Sequence, residues 1–182
     1  MTGRPWLLLP VFLALCVGGC RGVQARYDQG ERSFVGSNLR FSKLRARRLS
    51  GADFTRSNLI YVELDNARLK GARFRRCNMR GAGLYSADLR DADCRGSVLF
   101  DADLRHADLR GASLAGCALR GARFAGAQLR GCDLGGADLR GCDLSRARLS
   151  GARLVVAIYD GATRWPESFD PIAAGAVRRG SP

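Results

Sequence analysis

Side chains able to do chemistry are sparse in this 182-residue chain, and their spacing argues against most of the chemistry they could do. There is one histidine, His106, and there are seven cysteines, Cys16, Cys20, Cys77, Cys94, Cys117, Cys132 and Cys142. A histidine beside a serine or cysteine can activate a nucleophile, and cysteine with histidine can hold zinc. No CxxC occurs, however, and His106 has no cysteine at ligand spacing. Asp88 and Asp108 could act as paired carboxylates, but Arg90 and Arg110 follow each by two residues. An adjacent guanidinium lowers a carboxylate pKa, which suits an ion pair better than proton transfer. The 23 glycines include no phosphate-binding loop. No catalytic residue, cofactor or metal is expected.

The elements that would position these residues follow from a beat of five. In steps of five from Leu39 to Leu154 there are 24 central positions without insertion: nineteen Leu, Phe54, Phe74 and Phe124, Met79 and Cys94. Two residues before the centre, 22 of the 24 are Ala, Ser or Cys, the exceptions being Arg47 and Val62; two residues after it, twelve are Gly. A helix turns about 100° per residue, so a period of five scatters the centres around its surface. In a flat strand an odd period puts successive centres on opposite faces. A short extended segment followed by a corner satisfies both the size code and the polarity code. If each corner turns about a right angle, four segments close a coil of twenty residues. Six such coils account for residues 36–155.

Units such as "ADLRD", "ADLRH", "ADLRG", "CDLGG" and "CDLSR" resemble those of pentapeptide repeat proteins, which read A[DN]LXX. That resemblance implies an all-β fold, a right-handed quadrilateral parallel β-helix with the central and small residues inward. The expected organisation is a signal peptide at 1–19, a lipidated tether at 20–33, the β-helix at 34–159, and a cap and tail at 160–182.

Stacking at a twenty-residue step converts the sequence into columns. Phe34, Phe54 and Phe74 form an inward ladder continued by Cys94 and Leu114, and Lys70, Arg90, Arg110 and Arg130 form an outward stripe. Like charges about 5 Å apart repel, so the stripe is either offset, with Asp88 and Asp108 as the obvious partners, or reserved for an anionic partner. Cys77, Cys117, Cys132 and Cys142 fall on the small inward position, where cysteine acts as a compact hydrophobe. Cys77 and Cys117 are two coils apart, roughly 9–10 Å, beyond disulfide reach. His106 falls on an outward corner.

The N-terminus reads as a targeting segment, with Arg4 ahead of the apolar run "PWLLLPVFLALCVGG", which is too short to span a bilayer comfortably. Its end, "VGGC", resembles a bacterial lipobox and implies lipidation at Cys20 and a membrane-anchored location in the cell envelope, with a periplasmic or secreted protein as the alternative. Loss of Arg4 leaves 13 − 1 = +12 on the mature chain. After Leu154 the beat persists once more and then gives way; Tyr159, Trp165 and Phe169, with Pro166 and Pro171, are expected to cap the last coil, and "GAVRRGSP" to fray. The function class is a membrane-tethered scaffold or protein-interaction module presenting a basic surface to an unknown protein or other anionic surface. A structural envelope protein without a specific ligand is the alternative. The DNA mimicry known for some members of the resembled family needs negative charge, and nucleic acid is not expected at this address.

Overall fold

A computed structural model describes residues 21–180. The signal segment, Cys16 and Cys20 lie outside the described residues. From Ser33 onward each five-residue unit contributes one parallel bridge and one turn. The bridges Ser33↔Asp53, Asn38↔Asn58, Lys43↔Glu63 and Arg48↔Arg68 precede Asp53↔Arg73, where the first column returns. Four bridges per twenty residues make a four-sided coil. Each bridge is made by two main-chain bonds, as where Leu39 N–H donates to Asn58 O at 2.8 Å and Asn58 N–H to Ser37 O at 2.9 Å.

Each corner is a β-turn closed from the residue three after the centre, as by Ser42 N–H to Leu39 O at 3.2 Å. The second residue after every centre, from Gly36 to Val156, has positive φ, between 52° and 61° at the non-glycine positions and 63° to 72° at the glycines. That is why glycine recurs on this beat, since L-residues enter the left-handed region at a cost of about 1 kcal/mol or more. Val156, with φ 54°, is a β-branched residue where one is least tolerated.

The centres and small residues fill the rod. Leu104, Leu109 and Leu114 are fully buried, as are Ala102, Ala107 and Ala112. The Phe ladder is real: Phe34 and Phe54 stack at 5.3 Å between centroids and Phe54 and Phe74 at 5.2 Å. Arg47 breaks the size code without harm, because on the first coil its side chain turns outward and is exposed.

Both ends differ from the sequence expectation. The expected tether contains helix α1, Arg21–Asp28, which buries Val23 and lays Tyr27 against the core. Tyr27 Oη donates to Ser50 O at 2.8 Å, so the helix covers carbonyl-bearing edge that an open coil would expose. The polar composition concealed this because only one face of a short helix needs to be apolar. At the other end the step lengthens by one, to Asp143↔Arg164. The buried Asp160 carboxylate absorbs the extra residue by accepting from the N–H groups of Gly141, Ala162 and Thr163 at 3.0–3.1 Å. The tail does not fray at Gly175 as expected: strand β2, Val177–Arg178, pairs in parallel with β1, Ile158–Tyr159. Among the described residues no helix is long and apolar enough to cross a membrane.

Leu109→Ala should lower unfolding free energy by about 2–5 kcal/mol, as a cavity in a fixed-spacing stack has little scope to collapse. Ala107→Leu should cost about 1–3 kcal/mol through overpacking, and Val156→Asn should raise stability by about 1 kcal/mol. Denaturant titration of the three variants checks the order.

Candidate functional site

The outward residues are organised by a main-chain deficit. The N–H of the residue just after each centre points away from the ladder, and Asp or Asn just before the centre accepts from it. Asp53 Oδ1 accepts from Thr55 N–H at 2.9 Å, Asp88 from Arg90 at 3.3 Å, Asp93 from Arg95 at 3.2 Å and Asp108 from Arg110 at 3.3 Å. These are Asx turns, and they give the Asp or Asn of the repeat a structural task. Where arginine occupies the donor position, its side chain folds back on the same carboxylate. Arg90 Nε and a terminal nitrogen lie 2.7 Å from the two Asp88 oxygens, and Arg110 grips Asp108 at 2.8 and 2.7 Å. Arg95, Arg105 and Arg140 repeat the fork on Asp93, Asp103 and Asp138.

The stripe foreseen from the sequence is therefore uneven. Arg90 is held by Asp88 and lies 3.7 Å from Asp108, and Arg110 is held by Asp108. Lys70 makes a single contact at 3.9 Å with Asp91. Arg130 has no carboxylate within ion-pair distance among the described residues, and its neighbour two positions back is Gln128. Arg68 and Arg148, also unpaired, share that face with the stripe.

The remaining candidates are placed as follows. Cys77, Cys94, Cys117, Cys132 and Cys142 are free and buried. Burial pushes the Cys77 thiol up to about 11 and those of Cys117 and Cys132 up to about 12, so none is a ready thiolate. Three of them donate to corner carbonyls: Cys77 to Phe54 O at 2.9 Å, Cys117 to Cys94 O at 2.9 Å and Cys142 to Leu119 O at 3.0 Å. Ser57 makes the equivalent bond to Phe34 O. Cysteine at the small position thus also gives a corner carbonyl a second donor. His106 is exposed on a corner with φ 59°, edge-on to Tyr85 at 5.5 Å. Among the described residues no group of three His, Cys, Asp or Glu could hold a metal ion. Tyr159, Trp165 and Phe169 form a continuous aromatic run over the end of the core, with centroids 5.5 and 5.3 Å apart.

Sequence reasoning missed two features. The first is the capping role of the aspartates, signalled only by their constant offset from the centre. The second is a basic corner at Arg75, Arg76 and Arg95, which surround an open groove of about 260 Å³. Its signal was the local run of arginines around "ARFRRC", hidden in a chain rich in arginine throughout.

The family model of pentapeptide repeats matches residues 37–76, 77–116, 97–136 and 122–155. No curated protein matches the chain. Among solved structures, a pentapeptide repeat protein from Nostoc is 25% identical, over 88% of this chain and 96% of that one, with a TM-score of 0.32. One from the thylakoid lumen of Arabidopsis thaliana is 33% identical over 57% of this chain and 69% of its own, with a TM-score of 0.41. HetL, a pentapeptide repeat protein involved in heterocyst differentiation regulation from Nostoc sp. strain PCC 7120, is 23% identical over 90% and 94%, with a TM-score of 0.32.

The forks carry a pH signature. The Arg95 hydrogen bond holds Asp93 well below the usual carboxylate range against the upward push of partial burial, and Arg75 lowers it further. Asp88 and Asp108 are lowered in the same way by Arg90 and Arg110. A carboxylate depressed in the folded state stabilises the fold above its unfolded pKa, and that contribution is lost as pH falls through the folded value. The denaturant midpoint should therefore drop as pH falls below about 4, the unfolded carboxylate value. Asp93→Asn should flatten part of that drop while keeping the turn acceptor; an unchanged pH profile would count against the forks as stabilising contacts.

Proposed function

The chain belongs to the pentapeptide repeat family, whose members fold as right-handed quadrilateral β-helices, and on that premise we propose that it works as a non-catalytic scaffold or interaction module tethered in the cell envelope. The rod, of about six coils, would be anchored through lipid on Cys20 and would present its basic face to an acidic protein or other anionic surface. The observation that carries this reading is the face shared by Arg68, Lys70, Arg130 and Arg148. Three of these four cations have no carboxylate partner among the described residues, and the fourth has one at 3.9 Å. A cation already forked by a carboxylate offers a partner little, whereas an unpaired one has its donors free, and the rigid backbone beneath it adds no main-chain ordering cost on binding. The net charge of +12 on the described chain, 13 less Arg4, favours encounter with such a partner at a distance.

Two experiments test the halves separately. Fractionation with lipid labelling should place the wild-type chain in the membrane fraction, and Cys20→Ser should release it; an unlabelled cytoplasmic wild type would overturn the tether. Crosslinking from the envelope should capture a partner that is lost when Lys70 and Arg130 are replaced by Gln. A crosslink indifferent to those changes would favour a purely structural envelope rod.

A further inference from the structure

The basic corner differs in kind from the stripe. Arg75 and Arg76 occupy the turn after Phe74, and Arg95 and Gly96 the equivalent turn one coil on; Arg56 lies one coil before. Between residues 53 and 96 this face and its turn carry Arg56, Arg73, Arg75, Arg76 and Arg95 against Asp53 and Asp93, a balance of 5 − 2 = +3. Both carboxylates are already engaged. Asp93 takes the Arg95 fork at 2.9 and 2.7 Å and also accepts from Arg75 Nε. Asp53 accepts from Thr55 N–H and has Arg73 at 3.6 Å. Arg56 and Arg76 have no ion-pair partner among the described residues.

These engagements leave a specific set of free donors on the three side chains that line the groove of about 260 Å³. Arg75 is bound only through Nε, which frees its terminal nitrogens. Arg95 keeps one terminal nitrogen, and the whole Arg76 guanidinium is uncommitted. The positions above are small. Gly96 lies directly over Arg76, where an added Cβ would come 3.8 Å from Arg76 Cγ, and Gly116 has open space at the same point. Neither glycine projects a side chain over the groove, and the main chain beneath it is fixed by the ladder.

We propose that this corner is a binding site for a phosphate-monoester dianion. The three groove arginines and Asp93 sum to 3 − 1 = +2, which a dianion neutralises and a carboxylate would leave half satisfied. Guanidinium edges from two turns stacked about 4.8 Å apart can bond different oxygens of one tetrahedral anion, a geometry that arginine serves better than lysine. The site lies on a different corner from Lys70, Arg90, Arg110 and Arg130 and does not depend on the partner proposed for that stripe.

The test uses the full chain at low ionic strength. It is titrated with inorganic phosphate and, separately, with phosphatidylcholine vesicles containing phosphatidic acid, by calorimetry and by the arginine Nε–Hε resonances. Saturable binding that moves the Arg76 and Arg95 resonances is expected with at least one probe. Phosphate alone would identify a soluble ester as the source, and vesicles a lipid headgroup. Arg76→Gln should weaken binding about tenfold and Arg130→Gln less than about twofold, with sulfate competing and acetate not. Arg76→Lys, which keeps the charge but loses the fork, should fall between wild type and Arg76→Gln and serves as the readout if Arg76→Gln alters the thermal midpoint. Absence of saturation with both probes, or equal loss in the Arg76 and Arg130 variants, overturns the site.

Discussion

The interaction on which this structure depends is the parallel main-chain ladder with its step of twenty residues. Pairing Asn38 with Asn58, and Asn58 with Asn78, fixes every side chain directly above its counterpart twenty positions earlier. The spacing, about 4.8 Å, is set by hydrogen-bond geometry and cannot relax to suit a side chain. Small residues must recur where the walls turn inward, and large ones where the middle would otherwise be empty. Phenylalanine can stack on phenylalanine at 5.2–5.3 Å because that distance is close to the ladder's own period.

The same spacing makes like charges neighbours, and the chain resolves this within each unit. An aspartate placed to cap the turn N–H is also within reach of an arginine two residues on, so one carboxylate serves the main chain and neutralises a cation. Where the residue before the centre is not aspartate, the cation after it must look elsewhere. Arg120, following Ala118, reaches across to Asp138 at 2.6 Å, and Arg45, following Lys43, to Glu63 and Asp65 at 3.1 Å. Arg130, following Gln128, finds no carboxylate. Free positive charge is therefore concentrated where this local rule lapses, as at Arg130, or does not reach, as at the corner residue Arg76.

The ends show what the ladder cannot supply for itself. A stack has two open faces, and here they are closed by unlike means: an eight-residue helix at the start, and at the finish a one-residue slip absorbed by Asp160 and followed by the β1–β2 pair. Thr163 assists the slip, its hydroxyl donating to Leu139 O at 3.0 Å. Each device satisfies donors or carbonyls that would otherwise end against apolar core.

The period of five, the size code and the twenty-residue columns were legible in the sequence, because a packing rule repeated in every unit leaves a statistical trace that no single unit could. The Phe ladder, the inward cysteines and the outward His106 follow from it directly. The end closures were not legible: α1 and the Asp160 slip each occur once, and their stabilising contacts join residues whose proximity only the folded coil creates. Nor could the column of Lys70, Arg90, Arg110 and Arg130 reveal by itself that two of its members are forked and one is unpaired. Side-chain bonding depends on which carboxylate the turn geometry turns toward each guanidinium, and that is settled by the backbone in three dimensions.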